Sequence, residues 1–129
     1  MNENYPGSER REFFRYKHEK PINFKIVGAS RDKATLSKLV NAVSKNLSAS
    51  GILFTSKYLP EISSILALDL DYRTTQICKE IEENALIVLD KIVGKVVRIE
   101  ENDDGQYNVG VAFIKKGDDI SAEVSNLVK

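Results

Sequence analysis

The chain has 129 residues, 42% of them hydrophobic, which suits one compact domain with a genuine core and excludes an intrinsically disordered chain. Lysine plus arginine equals aspartate plus glutamate, 19 against 19, which argues against the basic excess that wrapping a nucleic acid polymer needs and still allows a local basic patch. Cys78 is the only cysteine and His18 the only histidine, so neither an internal disulfide nor a zinc cluster of ordinary spacing can be built.

A lone cysteine fits a reducing compartment. No apolar run approaches the length of a membrane span, and Met1-Asn2-Glu3-Asn4 does not open a signal peptide. The expectation is a soluble cytoplasmic protein with no membrane insertion.

Residues 1–9 are polar and carry the breakers Pro6-Gly7-Ser8. They are expected to be a mobile segment ahead of a single domain over 10–129. Arg10-Arg11-Glu12-Phe13-Phe14-Arg15 follows, just upstream of the first alternating run, as a loop or strand entrance. The planar fork of arginine suits a phosphate or a guanine edge, and its face stacks on rings. Arg11 and Arg15, four residues apart, therefore suit an anionic, ring-bearing ligand, although mixed Arg and Glu taken alone is ordinarily a solvated face.

Ile22, Phe24 and Ile26 alternate with Asn23 and Lys25, which predicts a half-buried strand over 22–27. Residues 29–38 read as a loop, or one helical turn around Leu36. A second strand covers 39–45, and Asn46-Leu47-Ser48-Ala49-Ser50-Gly51 reads as a tight turn into a short buried strand over 52–55. Residues 56–64, with Pro60, cross the surface. Leu66, Leu68, Leu70 and Tyr72 alternate with Ala67, Asp69 and Asp71, a strand with a wet face.

Thr74 to Asn84 has helical spacing, with Ile77 and Ile81 four apart and Lys79, Glu80, Glu82 and Glu83 on the other side, although a strand also fits there. Strands over 86–89 and 93–99 are bent or broken near Asp90-Lys91 or Gly94. Asp103-Asp104-Gly105 is a hairpin turn, and Tyr107, Val109, Val111 and Phe113 form the next strand. A last helix starts from a cap at Asp118 or Asp119 and buries Ile120, Val124, Leu127 and Val128. The sum is mostly β: a small six-stranded antiparallel β-barrel of Greek-key type, with a C-terminal helix and a short internal helix.

Two motifs in this order, on this architecture, resemble the PilZ family of cyclic di-GMP receptors. Arg11-Glu12-Phe13-Phe14-Arg15 matches the family's RxxxR, and Asn46-Leu47-Ser48-Ala49-Ser50-Gly51 matches its [D/N]xSxxG. Gly94-Lys95-Val96-Val97-Arg98-Ile99 and Tyr107-Asn108-Val109-Gly110-Val111-Ala112-Phe113 are similar to its closing strands. The likeness runs from about Glu9 to the terminal helix.

The resemblance implies a bacterial second-messenger receptor that binds cyclic di-GMP, needs no cofactor and signals to a downstream protein. By it, Arg11 and Arg15 take phosphate and the O6/N7 edge of guanine, Asn46 bonds a guanine, and Ser48 donates its hydroxyl. Gly51 lets the backbone come close. An arginine directly before RxxxR accompanies a stacked pair of ligands in the family, so Arg10 implies two molecules per site. The competing reading pairs Arg10 with Glu9 or Glu12 on the surface. The chain departs from the family pattern in having Asn at 46, an extension over 29–38 and a long connection over 74–84.

Other candidates read as structural. His18 reads as a surface residue beside a strand, Cys78 as a small buried residue on a helix face, and Asp69 and Asp71 as solvated strand carboxylates. Glu100, Glu101, Asp103 and Asp104 read as a soluble turn. No Walker loop, HExxH or nucleophile elbow is present, which points away from an enzyme. Two rival functions are a PilZ-like protein–protein adaptor that does not bind nucleotide, and a small barrel for single-stranded nucleic acid. The second expects exposed aromatics, and those here fall mostly at core-phase positions.

Overall fold

The computed structural model describes residues 15–29, 36, 38–118, 120 and 122–128. Its strands are β1 (Tyr16–Lys17), β2 (Pro21–Gly28), β3 (Leu39–Leu47), β4 (Gly51–Ser56), β5 (Ile65–Asp69), β6 (Ile87–Val88), β7 (Lys91–Glu101) and β8 (Tyr107–Phe113). Among the described residues they are joined by the α-helices α1 (Cys78–Asn84) and α2 (Ala122–Val128).

Six strands close a barrel in the order β3, β2, β5, β7, β8, β4, with β4 returning to β3. Every strand pairing is antiparallel. The two-residue strands β1 and β6 extend this sheet beside β3 and β7. Closure leaves the six barrel strands without a free edge.

Alternation fills the barrel. Phe24 and Phe54 are fully buried with ring centroids 5.1 Å apart, and Leu66, Leu68, Ile92 and Val96 surround them. A second, smaller core lies outside the barrel wall, where Val27, Ala67 and Val93 meet Val128 of α2. Ala67 therefore sits on a dry face rather than the expected wet one. Sequence alternation tells two faces apart but does not say that a distant helix covers the second.

The expected strand through Tyr72 ends at Asp69. Tyr72–Thr74 form a 3-10 turn that keeps Tyr72 buried, and the Thr75 hydroxyl donates to the Tyr72 carbonyl at 2.5 Å. Thr75 is extended, so α1 starts at Cys78 and not at Thr74. Ile77, just before α1, and Ile81 within it are both buried as the spacing predicted. Cys78 is only partly buried.

The break between the next two strands falls at Leu89-Asp90, which both take positive φ, 49° and 67°. They make a two-residue connection between β6 and β7, the turn geometry that suits sheet twist. Leu36 makes a single bridge to Ile26, and most of the 29–38 extension lies outside the described residues. Helix α2 begins at Ala122, later than either expected cap; Asp119 lies outside the described residues, and Asp118 closes a turn onto the Lys115 carbonyl at 2.9 Å. Among the described residues, no helix is long and apolar enough to cross a membrane.

Candidate functional site

Strand β1 pairs with β3 through Tyr16↔Leu47 and Lys17↔Asn46. Continued by one residue, that antiparallel register sets Arg15 beside Ser48. Main-chain pairing thus holds the last arginine of the RxxxR run against the Asn46–Gly51 bend. Arg15 and the bend line one open cavity of about 910 Å³. Arg10 and Arg11 lie outside the described residues, as do Phe13 and Phe14.

The bend is narrower than the sequence predicts. Asn46 and Leu47 still belong to β3, Gly51 already belongs to β4, and only Ser48–Ser50 turn. The Ser48 amide donates to the Gly51 carbonyl at 2.9 Å, and the Ser50 amide donates to Ser48 Oγ at 3.2 Å. Ser48 is 5% exposed, and its hydroxyl lies within 3.4 Å of the Gly51 carbonyl. Its observed contacts therefore hold the turn, with the same hydroxyl on the cavity wall.

Gly51 has a reason of its own. A Cβ there would lie 2.5 Å from the Val111 carbonyl oxygen, a backbone atom of the neighbouring strand. The close approach of β4 to β8 already demands glycine, before any ligand is considered.

Asn46 reaches the cavity because β3 slips phase. Val40, Ala42 and Ser44 point inward, and strict alternation would send residue 46 inward too. The register jumps between Ser44↔Phe54 and Asn46↔Leu53, leaving Lys45 as the extra residue of a bulge. Asn46 turns outward as a result and Leu47 returns to the core.

The same device recurs in β7. Ile92, Gly94 and Val96 are buried, and the register then jumps from Val96↔Val111 to Arg98↔Gly110. Val97 is the extra residue. Arg98 is exposed on the cavity wall, while Ile99 packs back onto the core.

The floor between these walls is made of β4 and β8, with Gly51, Leu53, Gly110 and Ala112 facing the cavity. At the far rim, α1 is stitched to the chain beyond β8. The Lys116 amide donates to the Asn84 carbonyl at 3.0 Å, and Lys116 Nζ to the Glu82 carbonyl at 2.8 Å. That brings Lys115 and Lys116 to the cavity on the same rim as Glu83.

Among the described residues the lining therefore carries four cationic side chains, Arg15, Arg98, Lys115 and Lys116, against one carboxylate, Glu83. In a chain of zero net charge this is the local basic patch that the totals allowed. Such a wall favours an anion. Arg98, Gly110, Lys115 and Lys116 were not singled out by sequence as site residues. The slip in alternation, from Val96 to Ile99 and from Ser44 to Leu47, was the available signal for the two bulged walls.

His18 follows β1 and is buried, not a surface residue. Its Nδ1 lies 2.5 Å from Ser44 Oγ, and the Ser44 hydroxyl donates to the His18 carbonyl. The Lys20 amide donates to Ser44 Oγ at 3.3 Å. Ser44 stands at an inward position of β3, so these bonds fasten the chain after Arg15 to the barrel. Burial, reinforced by the charge of Lys20, pushes the His18 pKa below its ordinary value, against a smaller opposing pull from its own main chain and Asp71. Among the described residues, no group of three or more metal-ligating side chains comes together.

Comparison with curated proteins gives no match. The family model of the PilZ domain matches residues 9–128, taking in both motifs, every strand of the barrel and the terminal helix. With nearly the whole chain covered, this protein belongs to the PilZ domain family, a family of cyclic di-GMP-binding domains.

Proposed function

We propose that this PilZ domain is a cyclic di-GMP sensor that passes the signal to a downstream protein. The observation that carries the reading is the shared cavity of Arg15 and the Asn46–Gly51 bend, two pieces 31 positions apart in sequence that β1–β3 pairing brings together. The excess of cations on the lining suits a ligand with two phosphates. Arg15 and Arg11 take phosphate and a guanine edge, Asn46 bonds a guanine, and Ser48 and Gly51 shape the bend beneath it. Arg10 contacts a second molecule, so two ligands fill one site.

Binding fixes the arginine segment 10–15 across the cavity mouth. The arginines ahead of Arg15 meet the ligand only in that arrangement, so the ligand shifts the population toward it and alters the surface offered to a partner. The protein acts without catalysis, and its site of action is the cytoplasm.

Titration calorimetry tests this directly. Wild-type chain is expected to bind cyclic di-GMP with a stoichiometry of two. Arg15→Ala removes a charge-assisted contact worth about 1.5–3 kcal/mol, a loss of about tenfold or more in affinity. Amide shifts at Arg15, Asn46 and Ser48 during an NMR titration would separate a sensor from a nucleotide-free adaptor, which gives none. Unchanged affinity in Arg15→Ala would sink the site.

A further inference from the structure

Asn46, Leu53, Gly110 and Arg98 form one row across four adjacent strands. Asn46 pairs with Leu53, Leu53 with Gly110, and Gly110 with Arg98. All four line the same cavity. At a spacing of about 4.8 Å per strand, the backbone positions of Asn46 and Arg98 stand about 14 Å apart. Between them lie one half-buried leucine and one glycine, so the middle of the row is low and apolar while both ends are polar.

Arg98 is placed there by its bulge, which turns outward a position that alternation would bury. A Cβ on Gly110 would meet the Arg98 side chain, with Nε 3.9 Å away, so the arginine stem lies along the bare patch of floor. Among the described residues, the Arg98 side chain has no hydrogen bond or ion pair, unlike Arg73, which is held by Asp90. An unpaired fork on a cation-rich wall, beside a flat apolar strip, is arranged to receive a ligand edge.

We propose that Arg98 is a ligand-binding residue that takes the O6/N7 edge of a guanine lying over Leu53 and Gly110, at the opposite end of the row from Asn46. The inference rests on the cyclic di-GMP reading and adds a contact to it. A flat ring on the strip turns its edge, not its face, toward the end of the row. The two acceptors of guanine match the two parallel donors of arginine, whereas lysine offers a single point charge. Arg98 stands within the eleven-residue barrel strand β7, whereas Arg15 precedes the two-residue strand β1.

Calorimetry on the full chain with cyclic di-GMP tests this, using wild type, Arg98→Ala, Arg98→Lys and Arg15→Ala side by side, with melting temperature as the control on folding. Both Arg98 variants are expected to fold like wild type, because the side chain is exposed. Each should lose about tenfold or more in affinity, since lysine keeps the charge and loses the fork. Affinity within about twofold of wild type in Arg98→Ala overturns the contact. Recovery to near wild type in Arg98→Lys overturns the guanine edge as its target. Failure of the wild-type chain to bind overturns the sensor reading and this inference together, whereas loss in Arg15→Ala alone leaves the sensor standing and removes Arg98 from it.

Discussion

The imidazole of His18 and the hydroxyl of Ser44 share a buried hydrogen bond of 2.5 Å that clamps the segment following β1 to the barrel. The Ser44 hydroxyl also reaches the carbonyls of His18 and Lys20, so the imidazole, the hydroxyl and the main chain of this segment form one buried network. Nε2 is buried without a partner among the described residues. Protonating the ring would place a charge in the interior and near that of Lys20, which is the physical content of the lowered pKa.

A pH dependence follows from that sign. The folded chain holds His18 neutral at a pH where the unfolded chain, near the ordinary value of about 6.5, begins to bind a proton. The stabilisation is complete above that value and is lost as pH falls toward the folded pKa. Urea unfolding between about pH 8 and about pH 5 should show wild type losing stability faster than His18→Gln, by at most about 1.4 kcal/mol per pH unit for one group. Parallel curves for the two proteins would remove His18 as the cause.

Ser44→Ala probes the same clamp from the other side. It strips the hydrogen-bond partner from His18 Nδ1 and the acceptor from the Lys20 amide, and leaves the inward position without a polar group. Leaving such groups unmet costs about 1–3 kcal/mol. Ser44 does not line the ligand cavity, but Arg15 is carried by the segment it fastens. Both denaturation midpoint and cyclic di-GMP affinity are therefore expected to fall. A fall in stability with no change in affinity would show that β1 holds Arg15 without this anchor.

Much of this was legible in the residues because short-range rules set it. Tyr107–Phe113 alternates without interruption and is a strand over that span, and Asp103-Asp104-Gly105 turns where expected, with Gly105 at φ 83°. Arg15 and the bend were recognisable as motif pieces, and their meeting is a matter of main-chain pairing. What stayed hidden depends on partners far along the chain. His18 looks like any surface histidine until Ser44, 26 residues away, is seen to receive it. Ala67 looks wet until α2 covers it. Asn46 and Arg98 break alternation by a single residue, and strand reading by period takes such a slip as noise, although it is what points both side chains into the cavity.

Gly51 and Gly110 line the same floor and should respond in opposite ways to alanine. At Gly51 the new methyl would stand 2.5 Å from the Val111 carbonyl and 3.6 Å from Ala112 Cα, both backbone, so β4 and β8 must part. Overpacking of this kind costs about 1–3 kcal/mol, and Gly51→Ala should lose stability and binding together. At Gly110 the nearest atom would be Arg98 Cβ at 3.5 Å, an ordinary contact, and Gly110 does not take a positive φ. Gly110→Ala should keep or slightly raise stability, by up to about 1 kcal/mol, since alanine restricts the unfolded chain more than glycine. Its methyl would nevertheless rise from the middle of the row between Asn46 and Arg98, where a flat ring is to lie. Affinity for cyclic di-GMP is expected to drop while the denaturation midpoint holds. Undiminished affinity in Gly110→Ala would mean that the ligand passes clear of this strip, and the floor would have to be reassigned to Gly51 and Ala112 alone.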